Sequence, residues 1–247
     1  MRLGGPEPRG WDAYDGEAQP RMGFFTDTSL CIGCKACEVA CKEWNELPED
    51  ELGFTGQSYD NTGRLSASTW RHVAFVEERK PVLEDGAEGL RWLMASDVCK
   101  HCTTAPCLDV CPTGALFRTE FGTVVVQQDV CNGCGMCVPA CPFGVIERRE
   151  DIGVAGKCTL CYDRLRDGLE PACAKACPTD SIQFGPLDDL RAHAGRRLDE
   201  VIEAGEEDAR LYLHDPDDGL DGGGAFFLLL DEPEVYRLPP DLSLIHI

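Results

Sequence analysis

The sequence predicts an α+β fold made of short antiparallel hairpins and short helices wrapped around repeated cysteine groups, closed by a C-terminal helix and strand. Three observations predict it. The chain holds 16 Cys in 247 residues. They fall into groups of four: Cys31, Cys34, Cys37, Cys41; Cys99, Cys102, Cys107, Cys111; Cys131, Cys134, Cys137, Cys141; and Cys158, Cys161, Cys173, Cys177. An internal repeat of this kind governs the fold before any local propensity does. The third and fourth cysteines of every group lie four residues apart, the spacing of one helical turn, and strand-like text separates the groups.

Taken in order, residues 1–21 carry Gly4, Gly5, Pro6, Pro8, Gly16 and Pro20 and read as a flexible arm, with Met22 an alternative start. They hold no apolar segment of the kind a secretory signal needs. Gly23–Asp27 reads as a strand leading into the first cysteine loop, and Ala36–Trp44 as a helix. His72–Glu77 and Leu90–Ala95 read as strands joined across Glu84-Asp85-Gly86. Pro106–Val110 and Val138–Ala140 follow as short helices on the cysteine spacing. Ala115–Arg118 and Thr123–Gln127 form a hairpin about Phe121-Gly122.

Beyond Gly185 the cysteines stop. Leu187–Ala204 places Leu187, Leu190, Ala194, Leu198, Val201 and Ile202 at helical spacing, with Asp188 and Asp189 at its acidic start. A strand at Leu211–Leu213, a Gly/Asp loop through Gly224 and a buried strand at Ala225–Leu230 complete a segment, 185–241, expected to cover a site against water. Ala225–Leu230 is the longest apolar run and falls far short of a membrane span. The hexapeptide Leu242-Ser243-Leu244-Ile245-His246-Ile247 fits badly with the Pro/Asp-rich run before it. It matches one translation frame of a transposase sequencing adapter, so 242–247 is expected to be a non-native tail.

A net charge of −21 argues against nucleic acid, whose phosphates need Lys and Arg, and against an anionic membrane surface. Cysteine richness has three explanations: disulfides, zinc or iron–sulfur clusters. Disulfide frameworks belong to short secreted chains, and without a signal the chain is expected to be made, and loaded with metal, in a reducing cytoplasm. The third group, C-N-G-C-G-M-C-V-P-A-C-P, has the C-x2-C-x2-C-x3-C-P run of bacterial ferredoxins. Three thiolates within seven residues wrap one corner of a cubane, and the fourth sits on a helix that carries it toward a neighbouring cluster. The first group has the same spacing, with Lys42 where the proline would be. The second has a two-residue insertion, and the fourth a wider loop before the same ending. Taken alone, the fourth group also suits zinc.

The chain resembles the four-cluster iron–sulfur (beta) subunits that partner molybdopterin oxidoreductases, and within them the formate dehydrogenase beta subunit. The likeness rests on T-S-L-C-I-G-C-K-A-C-E-V-A-C-K-E-W-N (Thr28–Asn45), Y-D-N-T-G-R-L-S-A-S-T-W-R-H-V (Tyr59–Val73), S-D-V-C-K-H-C (Ser96–Cys102), C-L-D-V-C-P-T-G-A-L (Cys107–Leu116) and K-C-T-L-C-Y-D-R (Lys157–Arg164). It covers about Met22 to Asp241. The resemblance implies two nested ferredoxin-like units. The first takes residues 22–95 and 151–184, with cysteine groups one and four; the second is inserted at 96–150, with groups two and three. It also implies an exchange of fourth ligands. One pair of clusters would sit on Cys31, Cys34, Cys37 with Cys177, and on Cys158, Cys161, Cys173 with Cys41. The other pair would sit on Cys99, Cys102, Cys107 with Cys141, and on Cys131, Cys134, Cys137 with Cys111.

Nitrate reductase relatives replace one of these ligands by Trp; here every position is Cys, so four [4Fe–4S] clusters are expected. The role implied by the resemblance is that of a non-catalytic electron conduit. It would run from a molybdenum or tungsten pterin catalytic subunit to a cytochrome b-type, quinone-reducing subunit or a soluble acceptor. Polysulfide, dimethyl sulfoxide and tetrathionate reductases are alternative partners, and a zinc-stapled scaffold is the reading from another class. Membrane association would come through partner subunits, on either face. Lys35, Lys100, His101 and Lys157 lie beside ligands, where positive charge would raise a cluster's potential; the competing expectation is solvated loop-edge side chains. His72 and the remaining histidines read as structural. No Ser/His/Asp set, phosphate loop or dinucleotide fingerprint marks an active site.

Overall fold

A computed structural model describes residues 19–49, 53, 56, 59–81, 88–240 and 242. Most of the expected N-terminal arm, the Glu84-Asp85-Gly86 turn and residues 243–247 of the expected tail lie outside the described residues. In chain order the elements are β1 (Met22–Asp27), α1 (Ala36–Trp44), β2 (Arg71–Pro81), β3 (Glu88–Val98), α2 (Pro106–Asp109), β4 (Leu116–Arg118), β5 (Val124–Val126), α3 (Cys137–Ala140), β6 (Glu147–Arg148), β7 (Ala155–Gly156), α4 (Tyr162–Arg166), α5 (Ala172–Lys175), β8 (Ile182–Pro186), α6 (Leu187–Glu203), β9 (Arg210–Tyr212) and β10 (Ala225–Leu229).

One four-stranded sheet, ordered β8-β1-β10-β9, anchors the molecule. β1 runs antiparallel to β8 and parallel to β10, with Phe24 opposite Ala225 and Asp27 opposite Leu228. Its interior place explains why Gly23 to Asp27 are all buried. At its start the Phe24 amide donates to the Gly224 carbonyl at 2.8 Å. A Cβ on Gly23 would stand 2.4 Å from that oxygen, so only glycine lets the two backbones approach. The segment expected as a cover is thus woven into the sheet through β9 and β10, and α6 packs Leu187, Leu190, Ala194 and Val201 against it. Cys102 and Phe143 also pack on this core.

β2 and β3 form a long hairpin in continuous register from Arg71 opposite Val98 to Pro81 opposite Glu88. The small hairpins β4–β5 and β6–β7 flank the middle cysteine groups. α1 buries Cys37 and Cys41 one turn apart. β9 stops at Tyr212 because Leu213 turns left-handed, at φ 62°. Two smaller cores are built partly of cysteine. Cys37, Cys41, Cys99, Cys158 and Cys173 join Phe24, Trp70 and Leu160 in one, and Cys137 joins Leu116, Val124 and Ile146 in the other. No helix among the described residues is long and apolar enough to cross a membrane.

Candidate metal centres

The structure gathers the thiols into sets of four. In the first, Cys31, Cys34, Cys37 and Cys177 line one cavity of about 290 Å³, counting its mouth. In the third, Cys99, Cys102, Cys107 and Cys141 line another of about 360 Å³. In the fourth, Cys111, Cys131, Cys134 and Cys137 line one of about 320 Å³. In the second, Cys41 lies beside Cys158, Cys161 and Cys173. Burial pushes the Cys41 thiol up, and the adjacent thiols of Cys158, Cys173 and Cys161 push it further. Each set draws three cysteines from one group and one from another. The sets also abut in a row: Cys37 interacts with Cys173, Cys158 with Cys99, and Cys107 with Cys137.

Local backbone geometry presents the thiols. In the first C-x2-C pair of each group the residue before the second cysteine is left-handed: Gly33 at φ 67°, His101 at 42°, Gly133 at 70° and Leu160 at 56°. Such a kink turns successive N–H groups inward and makes a concavity for a negatively charged group. Leu160 donates its amide to Cys158 Sγ at 3.3 Å, and Ala155 donates to Cys131 Sγ at 3.5 Å. Two of the four kinks fall on His101 and Leu160, which are 1 % and 0 % exposed; their surroundings impose the strain. At Gly133 a Cβ would meet the Gly153 carbonyl oxygen at 2.1 Å. Gly133→Ala is therefore expected to combine that clash with a left-handed penalty of about 1–2 kcal/mol. The fourth set should then lose its metal, with the other three retained, as measured by iron content and EPR.

Many of the thiols are held above the ordinary cysteine range. Burial raises Cys37, Cys137 and Cys161 to about 11 and Cys107 to about 12, and neighbouring thiols add to the rise in each case. Cys102 and Cys158 are raised as well, by burial and then by adjacent thiols. Thiolates gathered this closely are stabilised by a group that carries positive metal charge and takes them as ligands. Cavities ringed by thiols, with amides aimed at sulfur, fit an iron–sulfur cluster. By contrast, among the described residues no group of three or more His, Cys, Asp and Glu side chains is placed to hold a metal ion.

The flanking basic residues divide. Lys100 and Lys157 are 0 % and 2 % exposed, which removes the solvated alternative for both. Lys100 Nζ pairs with Asp97 and donates to the Val98 carbonyl at 2.8 Å. Lys157 Nζ donates to the Val124 carbonyl and, at 2.9 Å, to that of Cys158. Burial opposes its charge, but the Cys99, Cys107 and Cys158 thiolates outweigh burial and raise its pKa. Lys35 is tied to Glu38 and Asp60 near the surface. His101 departs from expectation. Burial, followed by the charges of Lys157, Arg21 and Arg118, drives its pKa well below the ordinary histidine value, so it is neutral. Its Nδ1 accepts from the Val124 amide at 3.1 Å. Sequence reasoning missed Arg71, a buried guanidinium that donates to Cys173 Sγ at 3.3 Å.

Two family profiles described as 4Fe-4S dicluster domains match residues 30–115 and 90–187. The formate dehydrogenase iron–sulfur subunit of Haemophilus influenzae is 40% identical over 219 residues, covering 87% of this chain and 67% of the relative. The nitrate-inducible formate dehydrogenase iron–sulfur subunit of Escherichia coli is 40% identical over 87% of this chain and 71% of its own length. The protein belongs to the formate dehydrogenase iron–sulfur subunit family. A related iron–sulfur branch is close by: the B subunit of the anaerobic dimethyl sulfoxide reductase of Escherichia coli is 38% identical over 71% of this chain and 78% of its own. The match to the formate dehydrogenase iron–sulfur subunits runs over 219 residues against 178 for that branch.

Proposed function

We propose that the protein is a non-catalytic electron-transfer subunit with one [4Fe–4S] cluster on each thiol set. Cys31, Cys34, Cys37 and Cys177 hold the first, and Cys158, Cys161, Cys173 and Cys41 the second. Cys99, Cys102, Cys107 and Cys141 hold the third, and Cys131, Cys134, Cys137 and Cys111 the fourth. The observation that carries this reading is the convergence of thiols from distant groups into sets of four, with amides aimed at sulfur. A bound cluster supplies a one-electron couple. The polypeptide supplies ligands, dry walls and hydrogen bonds, and sets the spacing between neighbouring sites.

The row has two ends. At the first set Cys34 is exposed beside Ile32 and Val39, which are 60% and 61% exposed. At the fourth, Cys134 is exposed near Val130 and Met136, 39% and 54% exposed. Apolar surface around an exposed ligand suits a partner that must bring a redox centre close. We assign one end to a molybdenum- or tungsten-pterin formate dehydrogenase catalytic subunit. The other goes to a cytochrome b-type, quinone-reducing subunit or a soluble acceptor, and location at a membrane would follow from that partner. The second reading keeps the row but exchanges the catalytic partner for a dimethyl sulfoxide reductase, on the strength of the 38% relative.

The test is anaerobic purification of the native complex. About four irons and four acid-labile sulfides per set of cysteines are expected, together with reduction of the EPR-visible centres on adding formate. Reduction by another donor, or reoxidation by dimethyl sulfoxide alone, would favour the second reading. A colourless zinc protein would remove both.

A further inference from the structure

Arg71 begins β2 and is 1% exposed. Its guanidinium reaches in two directions. Nη2 donates to Cys173 Sγ at 3.3 Å. Nη1 donates to the Ser96 carbonyl at 3.1 Å and lies 3.4 Å from Ser96 Oγ. Ser96 Oγ in turn sits 3.3 Å from Cys37 Sγ. Cys37 belongs to the first set and Cys173 to the second, so one cation and one hydroxyl span the gap between two sites. The Phe24 ring lies against the guanidinium, 4.7 Å from its carbon, and closes that side to water. Arginine does not shed its proton in proteins, so this charge persists at any working pH.

Resting on the cluster-binding reading above, we infer that Arg71, acting with Ser96, is a positioning residue shared by the first and second sites that raises the reduction potential of both. A fixed positive charge in a poorly screened interior favours the more negative, reduced form of a nearby cluster. Hydrogen bonds to ligand sulfur act in the same direction. Arg71 touches Cys173 directly and reaches Cys37 through Ser96, so the second site feels it more strongly. Arg71 itself makes no such contact with the third or fourth set among the described residues. At the next junction that place is taken by Lys157, which lines the third cavity and holds the Cys158 carbonyl.

The experiment uses the anaerobically purified full chain in wild-type, Arg71→Gln, Arg71→Lys and Ser96→Ala forms. Iron and sulfide are measured in each, and EPR-monitored redox titrations follow the individual centres. In Arg71→Gln the second site is expected to become about tenfold harder to reduce at fixed solution potential, about 59 mV for one electron, and the first site to shift the same way by less. The third and fourth sites should hold their values. Arg71→Lys should recover most of the shift, and Ser96→Ala should lower the first site alone. Fully loaded Arg71→Gln with wild-type potentials would overturn the inference and leave the cluster reading standing. Loss of iron from both Arg71 variants, with Ser96→Ala unchanged, would reduce Arg71 to a packing residue. A wild-type protein without labile sulfide would instead overturn the cluster reading, and this inference with it.

Discussion

Replacing Cys141 by Ser is expected to strip the site of Cys99, Cys102 and Cys107 and to spare that of its sequence neighbours Cys131, Cys134 and Cys137. The local text argues the other way, since Cys141 ends the same short motif. Geometry decides. α3 ends at Ala140, and Cys141 leaves it in extended conformation, with φ −84° and ψ 112°. Its thiol lines the cavity of the second cysteine group, and Cys111 from that group lines the cavity of the third. A serine hydroxyl is a far weaker ligand than a thiolate for iron in a cluster. The expected loss is about a quarter of the iron, with one EPR signal removed or converted. If the signal of the neighbours' own centre changed and the other survived, the ligand exchange would be refuted.

Chemical removal of iron and sulfide, by oxidation in the presence of a chelator, should abolish cooperative thermal unfolding. Two of the three hydrophobic cores contain cysteines of these sets, and Cys37, Cys41, Cys158 and Cys173 are all buried in one of them. Without the metal, those thiols become weak hydrogen-bonding groups around an unfilled space, and three of the helices that position the sets, α2, α3 and α5, are about one turn long. Such helices do not persist without tertiary support. The expected cost is on the order of the whole stability of a domain, about 5–15 kcal/mol. Far-UV circular dichroism on heating is the measurement. A sharp transition within a few degrees of the loaded protein would show that the fold stands without its cofactor.

Much of this architecture is legible in the sequence because cysteine spacing and local periodicity are short-range signals. The helix at Ala36–Trp44 is found where the cysteine rhythm places it. The β2–β3 and β4–β5 hairpins, like α6, follow their alternation or helical spacing. What escapes is long-range. β8 holds Gly185 and Pro186, residues that read as the end of a strand, and only its antiparallel partner β1 makes it one. The parallel pairing of β1 with β10 joins segments about 200 residues apart, a distance at which no periodicity signals a contact. Side-chain direction is equally hidden. Adjacency to a ligand cannot tell that Lys157 turns inward and Lys35 outward. Nor can it tell that His101, surrounded by cations, stays neutral. Arg71 stands at a strand start with an ordinary polar neighbour, and its contact with Cys173 exists only in three dimensions.

The pairing of β1 with β8 and β10 bears on how the molecule is made. A ribosome delivers the opening strand about 150 residues before β8 and about 200 before β10. At roughly 5–20 residues per second, that leaves it without neighbours for on the order of ten seconds or more. Cys31, Cys34 and Cys37 meet the same delay before Cys177 emerges. The stretch from Cys99 to Cys141, in contrast, contains every thiol of the third and fourth sets and can close while translation continues. Assembly is therefore expected to proceed from the middle of the chain outward. A polypeptide truncated between Cys141 and Cys158 and released from the ribosome should accept half of the metal and leave the first strand exposed to chaperones.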